Sequence, residues 1–205
     1  MRPLAHFLSI VLHPLFMPAY TLAYALWADD YLFLEPRGRM IVLGMVTLMT
    51  VFFPITSTLL LIRSGFVSGL RMPERRERIA PYCMTLLYYG LTWFLLARTP
   101  LHHTFLALII GAAAALLITT LTTLRWKISA HMVGIGGAVG ALFALGQLHH
   151  LPVLLPLSAA LLLAGALGTS RLLVSDHTPA QVYAGFVVGA LSVATTVLVQ
   201  WSPVG

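Results

Sequence analysis

Three short segments of this chain combine arginine, serine and histidine beside long apolar runs. The first, RSGFVSGLRMPERRERIAP, holds Arg63, Arg71, Arg75, Arg76 and Arg78, with only Glu74 and Glu77 against them. The second, RWKISAH, holds Arg125, Lys127, Ser129 and His131. The third, GTSRLLVSDHTPAQ, holds Ser170, Arg171, Asp176, His177 and Gln181. Guanidinium groups present planar forks that match phosphate oxygens, and an ammonium group adds a point charge. Two well-separated histidines can divide the work of phosphoryl transfer, one attacking phosphorus and the other protonating the leaving oxygen. Nothing like a metal-binding carboxylate cluster accompanies them. The chemistry suggested is metal-free phosphoryl transfer at a membrane surface, with no cofactor.

The rest of the chain must position these groups. It has 205 residues, of which 59% are hydrophobic and 9% charged, with a mean hydropathy of +0.92. A soluble domain carries roughly 25% charged residues. The gap excludes a soluble globular protein, a disordered tail and a disulfide scaffold. It leaves an integral membrane protein. Seven apolar runs are readable, at Leu4–Trp27, Met40–Ile62, Pro81–Ala97, Thr104–Leu124, Ala130–Leu148, Leu151–Leu167 and Ala180–Val199. Each is long enough for a membrane helix, and helices are the only open-ended solution in lipid. The expected fold is therefore an all-α integral membrane protein: one polytopic domain over 1–205, with six or seven transmembrane helices and the site at one interface. The first run contains His13, Pro14 and Pro18, so a kink or a re-entrant turn is expected there. It is long and lacks a clean cleavage site, so it reads as mature structure.

If all seven runs cross, two crossings separate each motif segment from the next. The three segments then face one side and can converge. The remaining loops hold Asp29, Asp30, Glu35, Arg37, Arg39, Arg98 and two His-His pairs, and face the other side.

At segments 71–81, 127–131 and 170–181 the chain resembles the type 2 phosphatidic acid phosphatase (lipid phosphate phosphatase) family, as a divergent member. That family's first motif is Lys-x6-Arg-Pro. Arg71, six residues and Arg78 keep its spacing, with Ile79 in place of proline. The second is Pro-Ser-Gly-His, of which Ser129 and His131 remain around Ala130. The third is Ser-Arg-x5-His-x3-Asp, matched by Ser170, Arg171 and His177, with Gln181 at the last position. The resemblance covers about the last two-thirds of the chain. It implies hydrolysis of a lipid phosphate or polyprenyl diphosphate through a phosphohistidine, without metal. His177 would be the nucleophile and His131 the general acid. Arg71, Arg78 and Arg171 would hold the phosphate oxygens, with Lys127 as a secondary contact. Ser129 and nearby backbone N–H groups would complete the anion hole, and Ser170 would support it. Gln181 would accept from the His177 Nδ1 and fix its tautomer, without the charge of an aspartate. Asp176 and Glu77 are the candidate substitutes for that carboxylate. Within the family a transferase would pass the phosphoryl group to another alcohol. Outside catalysis, the same residues would make a lipid-phosphate binder or carrier.

Other features read more plainly. The formal charge of +6 resides in loops between apolar runs, which points to anionic lipid headgroups or phosphates rather than nucleic acid. The glycine pairs Gly136/Gly140 and Gly185/Gly189 read as close helix packing. Cys83 reads as a small apolar residue near a span end. Trp27, Trp126 and Trp201 lie at run ends, as an aromatic belt requires. His102–His103 and His149–His150 read as solvated interfacial groups, while His6 and His13 have no evident partner. The partners expected are the bilayer and a lipid phosphate substrate. A bacterial inner-membrane location follows from the resemblance, with the face left open, because four of the motif-side cations are candidate phosphate ligands. Oligomeric state is not legible in the sequence.

Overall fold

The structure is a computed structural model that describes residues 2–28, 34–70, 72–174 and 177–199. Arg71 and Asp176, as well as Asp29, Asp30 and Trp201, lie outside the described residues. The chain is an all-α integral membrane bundle, and no strand occurs among the described residues. Seven helical spans are long and apolar enough to cross a membrane: Pro3–Ala28, Pro36–Arg63, Arg75–Leu96, His103–Thr123, Ala130–His149, Leu154–Val174 and Pro179–Val199.

Proline interrupts the first two spans. In the first, the helix Arg2–Val11 ends ahead of Pro14, and a 3-10 turn at Pro14–Phe16 leads into a second helix, Met17–Ala28. His13 is extended there (φ −66°, ψ 138°) and its side chain accepts from the Leu15 N–H. The span is therefore interrupted at His13–Phe16. In the second span Pro54 has no N–H to offer the preceding turn. The helix widens into a π turn at Leu48–Phe52 just before it.

The third and sixth spans extend past their expected ends. The third begins with a 3-10 turn at Arg75–Arg78. The sixth continues for about two turns beyond Leu167 to Val174, so Ser170 and Arg171 sit on a helix rather than in a connection. Leu172, Leu173 and Val174 keep that turn apolar. Arg171 does not force an exit to water because it finds a partner inside the protein, described below.

The fifth and seventh spans form the closest pair. Gly136 and Gly140 face the carbonyls of Phe186 and Ala190 across the interface, and Gly185 and Gly189 face those of Ser129 and Val133. Such contact needs residues without a Cβ, as expected for small-residue packing in lipid, where no hydrophobic force drives helices together. One apolar cluster fills the half of the bundle away from the motif segments, through Leu22, Leu26, Val46, Leu96, Phe105, Leu145 and Val197. A smaller one, with Leu12, Met132, Ile135, Leu167 and Val182, supports the motif end. Leu154, Leu155 and Leu162 are among the large apolar residues left exposed, where lipid covers them.

Candidate functional site

Local sequence explains how each side chain reaches the site. The fifth span starts after Ser129, which is extended (φ −83°, ψ 102°) and puts His131 in the first turn. The seventh starts at Pro179, a residue suited to the first helical position because its missing N–H would be unpaired there anyway. That start puts Gln181 in the first turn. The Ser129 N–H donates to the Gln181 carbonyl at 3.3 Å, so the second and third segments are stitched together by backbone. Gly185 permits this closeness, since a Cβ there would fall 2.7 Å from the Ser129 carbonyl oxygen.

His177 lies just before the seventh span. Its Nδ1 is 3.1 Å from Gln181 Oε1, and the Thr178 N–H donates to the same oxygen at 3.1 Å. A backbone N–H can only donate, so the Gln181 atom at this point is its carbonyl oxygen. That oxygen can only accept, so His177 Nδ1 carries a hydrogen. The neutral ring therefore keeps its lone pair on Nε2. Burial holds the His177 imidazole down at about 4, against an ordinary 6.5. The Gln181 hydrogen bond opposes this shift, and the nearby cations Arg171, Arg78 and Lys127 add to it. At neutral pH His177 is an uncharged base.

The His131 Nε2 stands 3.1 Å from the Ser9 carbonyl oxygen on the first span. A carbonyl accepts only, so His131 carries its hydrogen on Nε2. Arg171 Nη1 donates to Ser9 Oγ at 3.1 Å. The His13 ring packs edge-on to His131, with centroids 5.2 Å apart and an 81° interplanar angle. Arg78 donates from Nε and Nη2 to the Met72 carbonyl, both at 3.2 Å, and so holds the preceding loop.

These groups surround one cavity of about 1310 Å³. Pockets for drug-sized ligands measure roughly 300–1,000 Å³, so this one has room for a headgroup and part of a chain. Arg78, Lys127, His131, Arg171 and His177 line it at the motif end. Leu108, Ile109, Ala112, Tyr89 and Val193 line its depth, and Leu108, Ile109 and Val193 belong to the apolar cluster that fills the far half. The cavity is therefore basic at the motif end and apolar at the other.

The structure thus brings together five of the sequence-derived site residues. Gln181 is buried behind His177. Two hydroxyls are not on the cavity wall. Ser170 Oγ donates to the Ala166 carbonyl of its own helix at 2.8 Å. Ser129 is 0% exposed, and its Oγ has no hydrogen-bond partner among the described residues. Sequence reasoning missed Ser9 and His13, which line the cavity together with His6. The available signal was their spacing: positions 6, 9 and 13 are polar and stand three and four residues apart in an otherwise apolar run.

At the opposite end of the bundle His102, His103 and His150 are exposed, in keeping with a solvated role, and His149 is half-buried. One member of each pair meets a buried threonine: Thr104 Oγ1 is 2.9 Å from His102 Nδ1 and 2.9 Å from His149 Nε2. His102 also caps the fourth span through the Thr104 N–H. The His102 and His149 rings meet edge-on at this junction between the fourth and fifth spans, with centroids 5.4 Å apart.

Compared with protein families, curated proteins and solved structures, the chain matches none.

Proposed function

We propose that the chain is a metal-independent membrane lipid phosphatase, acting on a lipid phosphate or polyprenyl diphosphate through a phosphohistidine. The observation that carries this reading is the state of His177: a neutral imidazole, hydrogen-bonded through Nδ1, with Nε2 as the unprotonated nitrogen in a cavity lined by Arg78, Lys127 and Arg171. Nε2 attacks phosphorus, and the guanidinium and ammonium groups stabilise charge on the phosphoryl oxygens. Such preorganised donors supply the largest single part of many rate enhancements. His131 acts as its imidazolium: Nε2–H stays on the Ser9 carbonyl, and the second proton, on Nδ1, goes to the departing alcohol or phosphate. Water then attacks the phosphohistidine and gives a proton back to His131 Nδ1, phosphate is released, and His177 Nε2 leaves with its lone pair restored. The apolar depth of the cavity takes the first part of the lipid chain. By resemblance the membrane is the bacterial inner membrane.

The test is phosphate release in detergent with excess EDTA, from phosphatidic acid, phosphatidylglycerol phosphate, a polyprenyl diphosphate and a lipid A phosphate. Release that persists in EDTA from at least one of these is the expected result. No release from any of them by folded protein would sink the hydrolytic reading.

Two further results are expected of this site. Protonated His177 has no lone pair to offer, so activity is lost as pH falls through its pKa. The acid limb of kcat/KM, which reports the free enzyme, should bend near pH 4 rather than 6.5, once the titration of the phosphate itself is subtracted by 31P NMR. In Gln181→Asp the added carboxylate favours the imidazolium, so that limb should move to higher pH. An unmoved limb would mean that His177 does not set it. Separately, Ala112→Leu adds bulk to the apolar part of the cavity wall. It should lower kcat/KM for long-chain substrates by about tenfold, the equivalent of losing one or two buried methylenes at about 0.8 kcal/mol each. A short-chain analogue should be unaffected, and equal loss for both would place the chain outside the cavity.

A further inference from the structure

We infer that Ser9 on the first span is a positioning residue that aims Arg171 into the cavity. The inference rests on the reading of the basic end of that cavity as a phosphate site, and it adds a fourth segment to the three motif segments. Ser9 is buried and separated from Arg171 by 162 residues. Its hydroxyl donates to the Ala5 carbonyl at 2.9 Å. That bond fixes the direction of the hydroxyl hydrogen, leaving the oxygen lone pairs to accept from Arg171 Nη1 at 3.1 Å. A guanidinium anchored in this way on the cavity wall has already lost part of its side-chain freedom, so less is lost when a ligand arrives.

The same residue also fixes His131, and the helix break explains how. In an unbroken helix the Ser9 carbonyl would accept from the N–H of residue 13. Here the His13 N–H goes to the Ile10 carbonyl instead, at 3.3 Å, and Pro14 has no N–H to continue the ladder. The Ser9 carbonyl is left as one of the unpaired groups at a helix end, and His131 Nε2–H satisfies it at 3.1 Å. One residue of the first span therefore holds a phosphate-facing arginine through its hydroxyl and a histidine of the second segment through its backbone.

The experiment uses the full-length protein in detergent, with inorganic orthovanadate as the probe and calorimetric Kd as the readout. Ser9→Ala keeps the helix and deletes one hydrogen bond to a charged group. It should weaken orthovanadate binding about tenfold. Ser9→Thr, which retains the hydroxyl, should bind within about twofold of wild type. In an Arg171→Ala background Ser9→Ala should cause no further loss, because the two act through one interaction. A purely structural role for Ser9 predicts equal losses in both backgrounds and a matching drop in thermal midpoint, and would overturn the inference. So would unchanged binding in Ser9→Ala while wild type binds, which would leave the phosphate reading intact. If wild type itself binds no orthovanadate, the phosphate reading falls and the role of Ser9 falls with it. Should Ser9→Ala fail to fold, Ser9→Cys preserves the volume with a much weaker acceptor and should give the same loss.

Discussion

Replacing His177 by alanine is expected to lower phosphate release by about 10⁶-fold, the scale seen when a nucleophile is removed and the binding groups remain. The substitution takes away the proposed nucleophile, Nε2, but leaves Arg78, Lys127, Arg171 and His131 on the cavity wall. The variant should therefore still bind orthovanadate, and its thermal midpoint should stay close to that of wild type. His177 lies outside the spans and outside both large apolar clusters, so its loss opens no core cavity. A second signature belongs to the same experiment. Wild-type protein quenched during turnover of a 32P-labelled substrate should carry acid-labile, alkali-stable label on histidine, and the variant should carry none. If the variant retains a tenth or more of the activity, His177 is not the nucleophile. A general-base or binding role would then have to be reconsidered.

Gly189→Leu should produce the largest effect on the fold. The fifth and seventh spans approach so closely at this point that a Cβ on Gly189 would run into the Val133 carbonyl and come within 2.7 Å of the Gly137 nitrogen. Both are backbone atoms, so no side-chain rotation relieves the clash. Overpacking of this kind costs about 3 kcal/mol or more. The damage also reaches the site, because the Ser129–Gln181 hydrogen bond between the same two spans is what stitches the second segment to the third. Gly165→Leu is the control: nothing lies within 4 Å of a Cβ built there, so the side chain projects freely and the bundle should tolerate it. Thermal unfolding in detergent, followed by loss of the monodisperse species, reads both variants. Equal midpoints for Gly189→Leu and wild type would mean that the two spans do not pack backbone against backbone.

The sequence by itself determined the spans, because in lipid every backbone group must be paired within its own segment, and about 20 apolar residues then allow one solution. It also determined which segments share a membrane face, since that follows from counting crossings. Arg78, Lys127, His131, Arg171 and His177 were legible as chemistry because charged and titratable groups are rare in such a chain. The ends of the third and sixth spans were not legible. A charge at the end of an apolar run normally signals an exit to water, and only the tertiary structure supplies Arg171 with Ser9, and Arg78 with the Met72 carbonyl. The hydroxyls of Ser129 and Ser170 matched a motif by spacing, but spacing along a chain does not say which way a side chain turns. Ser170 turns back to its own helix. Ser9 and His13 were missed for the complementary reason. Each lies in the first span, outside every motif segment, and each acquires its role from residues more than 100 positions away, which helix packing alone brings within hydrogen-bonding reach. Local periodicity is set by short-range backbone physics and can be read from the chain. The pairing of distant polar groups is set by which helix faces meet, and that was decided by the tertiary structure.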